Sequence, residues 1–264
     1  MIENMNNNKL YNLIHKIMNQ LLGEIVNSIK TTVLDNSVGV AFSGGVDSTL
    51  IAKLLHDNGY DIHLLTIGFP DSHDINFAKE VNEILKFKHD ILEIDLDSFQ
   101  EVSEQVNDII KTDNLSWNEN SIAFYYVSKL AKKLGISTVV TANGIDELFC
   151  GYNAYREAIG IGVDEVMNVM NQKLDNEKKM MIAVNNVTSL FDVKILQPLL
   201  HEDFISYAKT IPISEKITDS NDLQRKHAIR KLAASCGVPE ISAYKQKKAL
   251  QYGSKIHKQL LKLR

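Results

Sequence analysis

Two stretches of this chain carry side chains of the types and spacing that phosphate chemistry uses. The first is Ser43-Gly44-Gly45-Val46-Asp47-Ser48. Adjacent glycines let the backbone approach an anion, a following helix offers unpaired N–H groups at its positive end, and Ser43 and Ser48 add hydroxyl donors. A Walker A loop would need a lysine where this chain has Asp47, and an acidic residue in a phosphate nest makes sense if it carries Mg2+. The second stretch is Asn143-Gly144-Ile145-Asp146-Glu147-Leu148-Phe149, a glycine loop bearing two carboxylates. Asp146 and Glu147 suit a ligand site and equally suit the first turn of a helix, where the macrodipole favours negative charge. Lys245, Lys247, Lys248, Lys255, Lys258 and Lys262 crowd the C-terminal end, a pattern that by default is a solvated helix face.

For these groups to meet, strands must deliver both loops to one place. Residues 37–42 (SVGVAF) read as a short strand running into the first loop, with a helix beginning near Ser48. Further strands are predicted over 61–67 and 89–94, separated by a helical pattern through Phe77, Val81, Ile84 and Leu85. Helices are predicted over 99–110 and 122–134, and a fourth strand, 138–141, runs into the second loop. Alternating strands and helices predict a parallel sheet, whose ligand crevice lies beyond the carboxyl ends of the strands. Before them, apolar residues from Leu10 to Ile25 at three-to-four spacing mark a packing helix. After about residue 155 helical spacing dominates. The expected division is an N-terminal helix over 1–32, an α/β domain bearing both loops over 33–155 and a helical region over 156–264.

The segment Ala41 to Thr49, AFSGGVDST, resembles the SGGxDS loop of the ATP pyrophosphatases, the PP-loop superfamily. Three other segments resemble the asparagine synthetase type within it. Thr66-Ile67-Gly68-Phe69 is similar to the stretch whose backbone reads the adenine edge. Asn143 to Tyr152 resembles the GEGxDELFxGY signature, and Lys245-Gln246-Lys247-Lys248 resembles the late RxKE segment. A stretch from Gln224 to Arg230 is also similar and would place Lys226 near the pyrophosphate.

The resemblance implies a Rossmann-like α/β fold of the adenine nucleotide alpha hydrolase type with a helical C-terminal part. It implies ATP contacts at Phe42, Ser43, Gly44, Gly45, Val46, Asp47, Ser48, Ile67, Gly68, Asn143 and Gly144, with Mg2+ on Asp47 and Asp146. Asp47, Asp146, Lys247, Lys226 and Glu147 take the catalytic positions, the lysines neutralising charge on the leaving pyrophosphate. The implied activity is an ATP-dependent amide-forming ligase that converts a small carboxylate, aspartate in the family, to an acyl-adenylate with release of pyrophosphate and AMP.

The sequence departs from the family at three places. Asn143 stands where the signature has a glutamate, and an amide has no proton that titrates near neutral pH. Residues 189–201 resemble the GxExRxPFLD stretch near the amino-acid substrate, but Lys194 replaces its glutamate and Leu196 its arginine, which points to a different acceptor. Met1 is followed by Ile2 rather than a cysteine, and the loop strand begins at residue 37, so a stand-alone synthetase domain without a glutaminase domain is expected. The nitrogen donor is then ammonia, free or from a separate glutaminase, or another amine, the substrate's own included, as in the β-lactam synthetases. Two alternatives stay open: a PP-loop enzyme adenylating a nucleic acid base or cofactor precursor for nitrogen or sulfur insertion, and a non-catalytic nucleotide-binding homologue.

Composition narrows the partners. Hydrophobic residues make up 44% of the 264 and charged residues 23%, the balance of a packed globular protein. A net charge of −4 gives no general field for nucleic acid or an anionic membrane. Cys150 and Cys236 lack disulfide or zinc spacing, and Cys150 is expected to pack rather than react. A polar N-terminus and the lack of a membrane-length apolar run lead to the expectation of a cytoplasmic protein.

Overall fold

The structure, a computed structural model, describes residues 2–245 and 250–263. In chain order the first half comprises α1 (Ile2–Thr32), β1 (Ser37–Ala41), α2 (Val46–Asp57), β2 (Asp61–Gly68), α3 (His73–Leu85), β3 (Lys88–Glu93), α4 (Leu96–Ile110), α5 (Leu115–Lys133) and β4 (Thr138–Val140). The second half comprises α6 (Ile145–Leu148), α7 (Ala154–Ile161), α8 (Val163–Thr188), β5 (Lys194–Leu196), α9 (Glu202–Thr210), α10 (His227–Ser235), α11 (Glu240–Ala243), α12 (Leu250–Gly253) and α13 (Ile256–Leu263). The four strands expected from sequence are present.

All strands are parallel, in the order β3-β2-β1-β4-β5. The chain winds outward from β1 to β3, then crosses back through α4 and α5 to lay β4 on the other side of β1. That reversal makes the β1/β4 boundary a topological switch point, where an open parallel sheet leaves a crevice. The two motif loops leave β1 and β4, so the topology alone sets them side by side.

Alternate residues face opposite sides, as the period of two requires. Val38, Val40, Ile62, Leu64 and Val140 face one core, shared with α1, α2 and α10, whereas Leu65, Ile67 and Val139 face another, shared with α4, α5 and α13. In α1, Leu21 and Ile25 of the predicted stripe are fully buried, and Ile29 beyond it is buried with them. α8 belongs to both cores: Val166, Met170 and Leu174 enter the first, and Met181, Val184 and Val187 the second.

The region expected to be helical beyond residue 155 also supplies a fifth strand. β5 pairs Lys194 with Thr138, Ile195 with Val139 and Leu196 with Val140. Three residues are too few to show alternation, and the strand exists because β4 offers it an open edge.

Candidate active site

The turn out of β1 is shaped by Gly44. Its φ is 75°, and a Cβ there would lie 3.0 Å from the carbonyl oxygen of Phe77, so a side chain would be both strained and crowded. α2 then starts at Val46 with Asp47 in its first turn, and its leading N–H groups have no partner within the helix. The serines order the loop themselves: Ser43 N–H donates to Ser48 Oγ at 3.3 Å, and Ser48 Oγ donates to Gly45 O at 3.2 Å. From far along the chain, Ser242 Oγ donates to Gly44 O at 2.7 Å and lies 3.0 Å from Thr49 Oγ1.

Gly144 does the corresponding work after β4. At φ 107° its absent side chain leaves room for Leu199 O, which a Cβ would approach to 2.7 Å. Glu147 is buried and reaches back to accept the Gly144 N–H at 3.0 Å, while Tyr152 OH donates to its other oxygen. Burial, and then the Glu147 charge, holds the Tyr152 pKa well above its ordinary value, so the phenol stays a donor. Asn143 Nδ2 donates to Glu177 Oε1 at 2.5 Å, tying the loop to the middle of α8. Cys150 is buried, and that burial pushes its thiol up to about 12, which keeps it protonated.

The two loops meet at Lys226. Its Nζ lies 2.5 Å from Asp47 Oδ2 and 2.5 Å from Asp146 Oδ1, with only 1% of the side chain exposed. Burial opposes the ammonium charge, but Asp146 and Asp47 outweigh it and raise the Lys226 pKa above the usual lysine value. Gly151 makes the space, since a Cβ there would run into Asp146 and Lys226.

Delivering Lys226 strains the chain. Arg225 and Lys226 sit consecutively in the left-handed region, at φ 48° and 54°, which costs about 1–2 kcal/mol each. Asp222 offsets that cost by accepting from the N–H groups of Thr218 at 3.1 Å, Gln224 at 2.9 Å and Arg225 at 2.9 Å, with His227 Nε2 at 2.7 Å. Although burial works against its charge, the bonds from Arg225, Thr218 and His227 lower the Asp222 pKa to about 2. Arg230 closes the turn from the other side. It donates to Gln224 O at 3.1 Å and Arg225 O at 3.0 Å, and reaches Ala243 O at 2.6 Å and Lys245 O at 3.0 Å.

These groups surround one cavity of roughly 270 Å³. Phe42, Ser43, Gly45, Val46, Asp47 and Ser48 form one wall, and Asn143, Asp146, Glu147 and Lys226 face them. Ile67 lines the cavity from β2. Gly44, Gly68 and Gly144 are not lining residues: two shape the turns, and Gly68 leaves room for the Ser72 side chain. Lys247 lies outside the described residues, whereas Lys245 lines the cavity with its Nζ 4.3 Å from the Phe77 ring centre.

Asp47 and Asp146 fit a divalent cation, since both already converge on one cationic nitrogen. Among the described residues no group of three or more His, Cys, Asp and Glu could hold a metal, so phosphate and water oxygens would complete the shell.

The remaining walls come from α5 and α8, which sequence reasoning did not single out. Ser116, Asn120, Phe124 and Val127 project from α5, and Lys173, Asn176, Glu177 and Met180 from α8. A signal for Glu177 was available: it falls in the buried register of Met170, Leu174, Met181 and Val184, a carboxylate where helical spacing calls for an apolar residue. The expectation that Lys194 and Leu196 lie at the substrate wall is corrected. Lys194 is exposed on the edge strand β5, and neither residue lines the cavity.

The chain is similar in sequence to known proteins over most of its length. The asparagine synthase family model matches residues 19–186. A Methanocaldococcus jannaschii protein named as a glutamine-hydrolyzing asparagine synthetase is 28% identical over 262 residues, covering 86% of this chain and 48% of the relative. Asparagine synthetase (glutamine-hydrolyzing) 1 of Arabidopsis thaliana is 26% identical over 215 residues, covering 77% of this chain and 36% of that one. The chain therefore spans about half the length, or less, of these relatives. Among solved structures, NMN synthetase from Francisella tularensis superposes with a TM-score of 0.48 at 16% identity, covering 90% of this chain and 77% of that one. With the matched region taking in both motif loops and well over half of the residues, the chain belongs to the asparagine synthase family.

Proposed function

We propose that this protein is an ATP-dependent ligase that adenylates a small carboxylate and passes the acyl group to ammonia or another amine. The observation that carries the reading is the convergence of Asp47, Asp146 and Lys226 beside a phosphate-binding loop at the sheet's switch point. The loop N–H groups and the Ser43 and Ser48 hydroxyls suit the β and γ phosphates. A Mg2+ ion held by Asp47 and Asp146 would offset phosphate charge when bound.

The acceptor carboxylate oxygen attacks the α phosphorus as the bond from that phosphorus to the bridging oxygen breaks, and pyrophosphate leaves with the electron pair. Lys226, and Lys247 by resemblance, neutralise the charge growing on it. An amine then attacks the acyl carbon, AMP departs, and the amine's proton needs a base. Asn143 cannot take it, and both Glu147 oxygens are engaged in holding the loop. Glu177, hydrogen-bonded to Asn143, is the carboxylate suited to that step.

The test is product analysis with ATP, Mg2+, ammonia and aspartate, extended to other small acids. AMP and pyrophosphate in equal amounts with a new amide are expected; ADP and phosphate would overturn the adenylation mechanism.

A further inference from the structure

The α8 wall of the cavity carries a cation that the adenylation chemistry does not use. Lys173 is half-buried on α8 and lines the cavity, with its Nζ 5.2 Å from the Tyr152 ring centre. Among the described residues it forms no ion pair. Glu177, one turn further along the same helix, bonds Asn143 instead. The neighbouring Asn176 accepts the Trp117 indole N–H through Oδ1 at 3.0 Å, which orients its amide so that the Nδ2 donors remain for another partner. The Tyr152 ring beneath Lys173 is itself fixed by its bond to Glu147. Two donors three residues apart on one helical face, one of them charged and set over a held aromatic ring, form a recognition surface for an anion.

We propose that Lys173, assisted by Asn176, determines acceptor specificity by binding a second anionic group of the substrate, separate from the carboxylate that is adenylated. The inference rests on the acyl-adenylate reading of the cavity. It also accounts for the missing arginine at Leu196. That position lies on an edge strand outside the cavity, so the charge that reads the acceptor comes from α8.

The experiment uses pairs of acids that differ by one carboxylate: aspartate with β-alanine, glutamate with 4-aminobutyrate, and succinate with propionate. Binding is measured by calorimetry in the presence of a non-hydrolysable ATP analogue, and AMP formation in parallel with ATP and ammonia. At least one diacid should bind on the order of tenfold more tightly than its partner. Lys173→Met should remove that preference, Lys173→Arg should retain most of it, and affinity for the ATP analogue should be unchanged in both. Equal binding within every pair, or a preference that survives Lys173→Met, would overturn the assignment. Lys173-dependent diacid binding without AMP formation would uphold the assignment and sink the ligase reading alone.

Discussion

Lys226 places a positive charge where a divalent cation would otherwise sit between two carboxylates. Without nucleotide, Asp47 and Asp146 are already neutralised in part, and a metal ion gains little there until phosphate oxygens arrive. Replacing the ammonium by a methyl-terminated chain should separate these roles. Lys226→Met is expected to lower pyrophosphate formation by about 100-fold, as for loss of a transition-state cation. The same variant should bind Mn2+ in the absence of nucleotide, visible by electron paramagnetic resonance, where the parent protein binds none. A second residue-scale prediction concerns Glu177. Glu177→Gln keeps the geometry near Asn143 but removes the proposed base, so ATP–pyrophosphate exchange should persist while amide formation falls by about 100-fold or more. Equal losses in both reactions would show that Glu177 acts before the amine arrives.

At the scale of elements, the 218–227 segment behaves as a spring held by one carboxylate. Asp222 has a folded-state pKa of about 2 against an ordinary 3.8, so its stabilising contribution is complete above pH 3.8 and is lost as the pH falls through about 2. After allowance for screening, it amounts to on the order of 1–2 kcal/mol. Asp222→Asn should remove it, giving a lower Tm at neutral pH and a flatter fall in stability between pH 4 and 2. An unchanged acid profile would place the segment's support elsewhere. This segment also shows what sequence reading can reach. The first loop was legible because paired glycines after a strand have few other uses, the second because a glycine and two carboxylates follow a strand, and β1 to β4 because short apolar, β-favouring runs alternate with helical patterns. Lys226 was reachable only by resemblance, since its approach to Asp47 and Asp146 depends on two strained non-glycine residues that no local pattern announces. β5 and, Glu177 apart, the α5 and α8 walls were not legible for a related reason. Their positions are set by partners distant in sequence.

Across the whole molecule, the phosphate loop is clamped by a residue from near the other end of the chain. Ser242 Oγ bonds Gly44 O, and Arg230 ties the carbonyls of residues 243 and 245 to the turn that carries Lys226. Ser242→Ala leaves the Gly44 carbonyl buried without that donor, and should cost about 1–3 kcal/mol in unfolding free energy and raise KM for ATP several-fold. A denaturant midpoint and an ATP titration on the same sample would check both. The clamp also has a consequence for biosynthesis. Gly44 leaves the ribosome 198 residues ahead of Ser242, and Asp47 leaves it 179 residues ahead of Lys226. The parallel sheet's nucleus therefore waits with its most recognisable motif unset. A nascent chain arrested before residue 226 should display the full SGGVDS sequence and yet gain no protease resistance from ATP.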